Sequence, residues 1–358
     1  MTGQRTGAER LSVVVVNFNG ARLLPACLNS LARQTLPREE VQVVVVDNAS
    51  TDESLRLLAT SYPWVEVVAS GTNVGFAAGC NLGIAHSRAG LVLLLNPDAT
   101  AEPDALEQLV AAAADPGCRE VAAFAGRVLL SARFSPDAQG PVRTPRGRFR
   151  ETPHGAVRLV NSTGNVVRTD GLGVDRGWLR PADEHHPPAE VFGFSGAACL
   201  LRKGAVDGVG GFDEKLFMYY EDTDLSWRLR LAGWRVRYCE RAVFSHWHSA
   251  TSVEGSQFFR FHDERNRLLV LTKNASLPLV AGAVLRFPVS TVGWMRQGRS
   301  GRTRARVRVT AFASYLRLLP RALADRRRIS RSAVVPRSAV EELLVRPQEE
   351  TGGSYRGG

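Results

Sequence analysis

Two runs of β-branched residues, LSVVVVNFN at 11–19 and QVVVVDNAS at 42–50, leave this chain little freedom in how it folds. Strands apolar on both faces belong in a parallel sheet covered by helices on either side, since a strand with one wet face would alternate. The intervening ARLLPACLNSLARQT agrees, placing Leu24, Cys27, Leu28 and Leu31 on one helical face. A short third strand is expected at VEVVAS (65–70) and a fourth at LVLLLNPDA (91–99). Between them the glycine-rich GTNVGFAAGCNLG (71–83) leads into a helix, and Glu102-Pro103 opens another that runs to about Ala114. The alternation predicts a doubly wound α/β sheet, which binds ligands beyond the carboxyl ends of its strands.

Those ends carry Asn17 and Asn19, then Asp47 and Asn48, then Asn73 and Gly75, then Asn96 and Asp98. Turns alone supply such residues often, but four sets in register favour a ligand crevice. A second concentration of polar chemistry is MYYEDTDLSWRLRLAGW at 218–234, where Glu221, Asp222 and Asp224 stand beside Tyr219 and Tyr220 in a chain of net charge +11. Leu225, Leu229 and Ala232, widened by Trp227 and Leu231, predict a short helix with Gly233 as its stop. Capping explains one or two of the acids, and Asp224 is assigned that task. It does not explain three acids beside tyrosines, where partial burial raises a carboxyl pKa.

Length permits two domains, or one with an extension, among 358 residues, and 44% hydrophobic with 23% charged residues is a globular composition. The five cysteines are widely spaced with no C-x-x-C, which argues against a disulfide framework and for a reducing compartment. The opening MTGQRTGAER is polar, and the apolar run behind it is too short for a signal peptide. Residues 277–295, LPLVAGAVLRFPVSTVGWM, approach membrane-span length, but Arg286, Pro278 and Pro288 interrupt them, so a core or interfacial helix pair is expected. Between Arg296 and Arg331 twelve arginines face one acid, Asp325, and interleaved apolar residues suit an amphipathic helix on an anionic lipid surface. No nucleic-acid-binding motif accompanies them. Residues 131–190 read as a long excursion with a few strands, 191–204 as a return to strand, 234–252 as two short strands ending in histidines, and the chain from about Phe258 as helical.

No G-x-G-x-x-G follows the first strand and no P-loop is present, which excludes the usual dinucleotide and P-loop enzymes. VVVVNFN, VVVDNASTD, NVGFAAGCN, LLLNPDA, GGFDEKLFMYYEDTDLSWRLRLAGW and FSHWHSATS nevertheless occur in the order found in glycosyltransferase family 2. The chain most resembles its bacterial rhamnosyltransferase and galactofuranosyltransferase-like branch, over roughly residues 10 to 275. The resemblance implies a GT-A fold with a doubly wound mixed sheet and inverting transfer of a sugar from a nucleotide diphosphate, dTDP-rhamnose favoured and UDP-sugars next. It implies that Asn17, Asn19 and Asp47 hold base and ribose, that Asn73, Gly75 and Asn81 close over the nucleotide, and that Asn96 and Asp98 face its phosphates. Mg2+ or Mn2+ would be bound by Asp98 with His246, or His248 as alternative; Asn96 stands where the family has the first acid of its D-x-D. Asp222 would be the base and Glu221 would orient the acceptor, with Ser195, Gly196 and Trp227 on the acceptor side.

The expected layout is a disordered 1–10, a glycosyltransferase domain at 11–265 with nucleotide half 11–115 and acceptor half 116–265, a basic helical region at 266–335 and a disordered tail at 336–358. The basic region suggests a glycan or polyprenyl-linked acceptor, met by a cytoplasmic protein at the inner face of the cell membrane. Two rival readings stand. A sugar-phosphate nucleotidyltransferase shares such a sheet but needs a glycine- and arginine-rich loop with a lysine, absent here. A non-catalytic basic protein binding membrane or nucleic acid explains the arginines but not the ordered strand ends.

Overall fold

β1 (Leu11–Asn17) and β2 (Val41–Asp47) are buried along their whole length and run parallel, as their β-branched runs dictate. β3 (Glu66–Ala69) pairs parallel with β2, and β4 (Leu91–Leu95) with β1. The connections between them are α1 (Leu24–Ala32), α2 (Ser54–Ser61) and α3 (Gly75–His86). α3 lies so close on β1 that a Cβ at Gly83 would stand 2.2 Å from the Val14 side chain. The structure is a computed structural model and describes residues 9–247, 256–296 and 298–349.

Beyond β4 come β5 (Ala99–Ala101), α4 (Ala105–Ala114) and the long β6 (Val121–Leu130). The excursion at 131–190 folds into small antiparallel pieces. β7 (Phe134–Pro136), β8 (Val142–Thr144) and β9 (Gly147–Glu151) form one sheet, β10 (Val160–Ser162) joins β6, and β11 (Asn165–Val167) pairs with β12 (Gly173–Asp175) in a hairpin. β13 (Ala198–Arg202) then inserts antiparallel between β4 and β6. After α5 (Lys203–Gly208) and α6 (Glu221–Leu231), β14 (Arg235–His246) runs parallel to β6. The order is β3-β2-β1-β4-β13-β6-β14-β5, a mixed sheet. Residues 235–246 are one strand, not two: a register shift between Cys239 and Val243 breaks the alternation without ending the pairing.

α7 (Gln257–Asn274) starts at Ser256, whose Oγ accepts the Phe259 N–H. α8 (Leu277–Met295) and α9 (Gly298–Ser332) follow. α8 is a single helix despite Pro288. Its buried stripe Ala283, Phe287 and Thr291 packs on the body, and Arg308 of α9 reaches Ser290 and Thr291 across the proline. α8 is long and apolar enough to cross a membrane by length and composition.

α9 lies along α7: Tyr315 OH meets Thr272 Oγ1 at 3.0 Å, Arg308 pairs with Glu264, and Arg326 donates to the Thr272 and Ala275 carbonyls. The boundary expected at 265/266 therefore cuts through α7, a helix that packs against both α6 and α9. Residues 336–349, expected as disordered tail, instead carry α10 (Arg337–Glu341) with Val340 buried. Val345 then lies beside β11, donating its N–H to Val167 O and accepting from Thr169 N. The calls on 1–8 and 350–358 lie outside the described residues.

Candidate active site

The loops after β1 and β2 are tied into one surface. Asn17 Nδ2 donates to Asp47 Oδ1 and Ser50 Oγ, both at 3.1 Å, while Asp47 Oδ2 accepts the Ser50 N–H. Asn19, left-handed at φ 53°, accepts the Thr51 N–H at 2.7 Å, and the exposed ring of Phe18 stands between the two asparagines. Asn48 secures the next loop: Nδ2 reaches Asn73 Oδ1 and Gly75 O, and Oδ1 accepts from Val74 N and Ser70 Oγ. Gly75 has φ +84°, and a Cβ there would press on Phe217 at 2.6 Å, so this position is closed to any side chain. Asn81 has another task. Its amide bonds go to Phe212 and Glu214 and hold the Gly210–Asp213 turn, where a position on α3 two turns past the loop points it.

The end of β4 meets the end of β14. Asp98 Oδ1 lies 3.0 Å from His246 Nε2, and His246 Nδ1 lies 2.5 Å from Asn161 Oδ1. With Asn161 Oδ1 accepting from Nδ1–H, the Nε2 facing the carboxylate carries a proton when it bonds Asp98 directly and offers its lone pair when a cation lies between them. That is the outer-shell arrangement of a metal-binding imidazole. Two ligand atoms about 3 Å apart also suit adjacent corners of an octahedral ion with bonds of about 2.1 Å. The Asn96 Oδ1 beside them is buried and has no partner, the kind of orphaned oxygen that a bound group completes. The residues fit a weakly held divalent cation; among the described residues no third His, Cys, Asp or Glu joins the pair. His248 lies outside the described residues.

Asp222 stands in the first turn of α6. Its Oδ2 accepts the Gly196 N–H at 3.2 Å, and its Oδ1 accepts from Thr223 N at 2.6 Å and Thr223 Oγ1 at 3.2 Å. Burial, with the Asp175 carboxylate of β12 adding to it, pushes this carboxyl up to about 6. Asp175 was not singled out by the sequence, because no motif marks the 131–190 excursion. Glu221 is buried, and burial followed by the Asp222 charge raises it well above the carboxylate range, with one oxygen unpartnered. Burial pushes the Cys80 thiol up, and the Glu221 charge adds to it. The loop carrying Gly196 also carries Ala197, whose carbonyl accepts the Asn96 N–H at 3.0 Å. Consecutive residues of one loop thus join the Asn96–Asp98 strand end to the Asp222 carboxylate, with Ser195 part-exposed beside them.

Two more assignments change. Asp224 does not cap α6: it lies inside the helix, fully buried, bound by Arg228 at 2.8 Å, Lys273 at 2.9 Å and Asn274 at 2.8 Å. Trp227 is fully buried with its ring edge-on to Phe192 at 5.3 Å, so it belongs to the core and not to an acceptor wall. Five residues along a helix is about 140° away from Asp222. The N-cap residue is Tyr220, and the approach to it is strained: Phe217, Tyr219 and Tyr220 have φ of 67°, 68° and 68°. Positive φ at non-glycine residues costs about 1–3 kcal/mol each and persists only where the surroundings over-determine it.

A profile of Glycosyl transferase family 2 matches residues 12–156. The N-acetylglucosaminyl-diphospho-decaprenol L-rhamnosyltransferase of Mycobacterium tuberculosis is 31% identical over 257 residues, 68% of this chain and 77% of that protein. The O-antigen chain rhamnosyltransferase RfbN of Salmonella typhimurium is 23% identical over 256 residues, 71% of each. Among solved structures, the mannosyltransferase PcManGT from Pyrobaculum calidifontis, in complex with GDP-Man and Mn2+, superposes with a TM-score of 0.51 at 18% identity, over 87% of this chain and 88% of that one.

Proposed function

Because the chain belongs to glycosyl transferase family 2 and is a glycosyltransferase of GT-A fold using a nucleotide-sugar donor, we propose that it transfers L-rhamnose from dTDP-rhamnose, with a UDP-sugar as the next choice, to a polyprenyl-diphosphate-linked glycan. The observation that carries this reading is the single loop joining Asp222 to the Asn96–Asp98 strand end. Asp222 takes the proton as the acceptor oxygen attacks the anomeric carbon, and the diphosphate leaves from the opposite side with the bonding electron pair, giving inversion. A carboxyl titrating near 6 is ionised at neutral pH yet more basic than an exposed aspartate, which suits a general base. Asp98 and His246 would hold Mg2+ or Mn2+, which offsets the charge gathering on the leaving group. Asn17, Asn19, Asp47, Asn73 and Gly75 line the nucleotide end.

The test is a donor-hydrolysis screen over dTDP-rhamnose, UDP-galactose, UDP-N-acetylglucosamine and GDP-mannose with Mn2+ or Mg2+. Release of dTDP from dTDP-rhamnose alone is the expected result; turnover of another donor alone, or of none of the four, overturns the rhamnose assignment.

The acceptor's location is proposed from α8 and α9. α8 exposes Leu277, Leu285, Val289, Val292 and Met295, with relative exposures of 45–73%, a broad apolar face. Val309, Leu316 and Leu323 of α9, seven apart, are exposed among arginines. This pattern supports peripheral docking on an anionic bilayer at the cytoplasmic face, apolar side chains in the acyl boundary and guanidinium groups at the phosphates. Removing everything after Ala275 would strip the cover from α7, so point substitution is the better probe. L285D/V289D is expected to weaken flotation with vesicles containing anionic phospholipid by about tenfold or more without altering thermal stability; unchanged flotation would dismiss the docking surface.

A further inference from the structure

α7 lies beyond the segment matched by the family profile, yet two of its buried polar residues, Arg265 and Asn266, bond to the approach to Asp222. Asn266, fully buried, directs its one Nδ2 at three backbone carbonyls: Leu216 O at 2.9 Å, Met218 O at 2.9 Å and Tyr219 O at 2.7 Å. Its Oδ1 accepts from Arg265 Nε at 2.8 Å, which fixes the amide orientation, while Arg265 Nη2 donates to the Lys215 and Leu216 carbonyls. These carbonyls belong to the segment that contains Phe217, Tyr219 and Tyr220, the three residues with left-handed φ that lead directly into Glu221-Asp222. An ordinary chain would relax out of such a turn; three carbonyls gathered on one amide prevent it.

The same turn touches the other end of the site. Phe217 O accepts the Ala77 N–H at 3.1 Å, just past the Asn73–Gly75 loop, and it is against Phe217 that Gly75 admits no Cβ. The turn is therefore in direct contact with both the glycine loop and the helix of Asp222. One helix face serves it: Lys273, seven residues after Asn266, reaches Asp213 at 2.5 Å and Asp224 at 2.9 Å.

We propose that Asn266 is a positioning residue of the transfer reaction, whose amide holds the 216–220 turn in its left-handed conformation and so sets where the Asp222 carboxylate stands relative to the glycine loop. Asn266 touches no substrate. It rests on the reading of Asp222 as base, and the two fail separately: a turned-over D222N removes the base, whereas an inactive D222N beside a fully active N266A removes only the positioning.

The experiment measures transfer with the donor that the wild-type protein turns over in the four-sugar screen. Asn266→Ala is expected to lower kcat about 100-fold, the cost of a misplacement of about 1 Å, with donor KM changed less than about threefold and dTDP or UDP affinity retained. Leu269→Ala, a core truncation on the same helix that removes no hydrogen bond to the turn, controls for loss of stability: its melting temperature falls but kcat stays within about threefold. Glycine adopts the left-handed conformation without the Cβ penalty, so Y219G combined with N266A is expected to lose less kcat than the product of the single losses. Should N266A not fold, Asn266→Gln, which keeps the amide on a longer arm, is read in its place. Equal kcat losses in N266A and L269A, or strict additivity in the Y219G pair, would overturn the proposal.

Discussion

Asp222→Asn is expected to lower sugar transfer by about two to four orders of magnitude, the range that a positioned general base supplies. Asparagine is nearly isosteric, and its single oxygen can still accept from Gly196 or from Thr223, though not from both as the wild-type carboxylate does. What disappears is the capacity to take a proton, so nucleotide binding, measured by calorimetry, should persist. The wild-type pH profile carries the same signature. With the carboxyl raised to about 6, kcat/KM should fall as pH drops below about 6, because the protonated group cannot accept from the attacking hydroxyl. The stability sign is opposite. A carboxyl raised in the fold binds more protons there than in the unfolded chain, so its contribution declines as pH climbs from about 3.9 towards 6. At neutral pH the ionised group costs stability, and D222N should melt slightly higher than wild type. Near-normal turnover in D222N would remove Asp222 from the chemistry.

Two residues on, the expected result inverts. Asp224→Asn is expected to destabilise the fold by about 3–5 kcal/mol, the cost of breaking a buried ion pair from one side. Arg228 and Lys273 both turn inward to Asp224; Lys273 also pairs with Asp213 at 2.5 Å, whereas Arg228 is left with the Val209 carbonyl. Burial pushes the Asp224 carboxyl up, but the two cations more than offset it and hold it at about 2. Its contribution is accordingly present above the unfolded value of about 3.9 and is lost as pH falls towards 2. Urea midpoints of wild type and D224N at pH 7 measure the effect; a change under about 1 kcal/mol would mean that the two cations find other partners.

The contrast shows what sequence can and cannot report. Buried parallel strands announce themselves because every position is apolar, and their polar ends follow, which is why Asp47, Asn73 and Asp98 were legible. Asp224 was not, since a carboxylate in a first helical turn looks the same whether it caps the helix or binds a lysine from fifty residues away. Trp227 and Asp222 share one motif, yet helical geometry sends them to different sides. The burial of Asn266 and Lys273 in RNRLLVLTKN was not legible, because buried asparagine and lysine carry the same letters as exposed ones. Asn161, which orients His246, sits in the three-residue β10, too short for any periodicity to betray it. Pro288 predicted a break that packing on Arg308 removes.

The link between Val345 and the β11–β12 hairpin has a consequence for how such chains diversify. The hairpin bears Asp175, whose charge acts on Asp222, so the segment around Val345 is stitched to the surroundings of the Asp222 carboxylate. Genetic exchange that replaced everything after α7 with the equivalent from a distant cousin would import a terminal segment unmatched to its hairpin. Hairpin and terminus should therefore be inherited as a pair, drifting together even while the acceptor sugar changes.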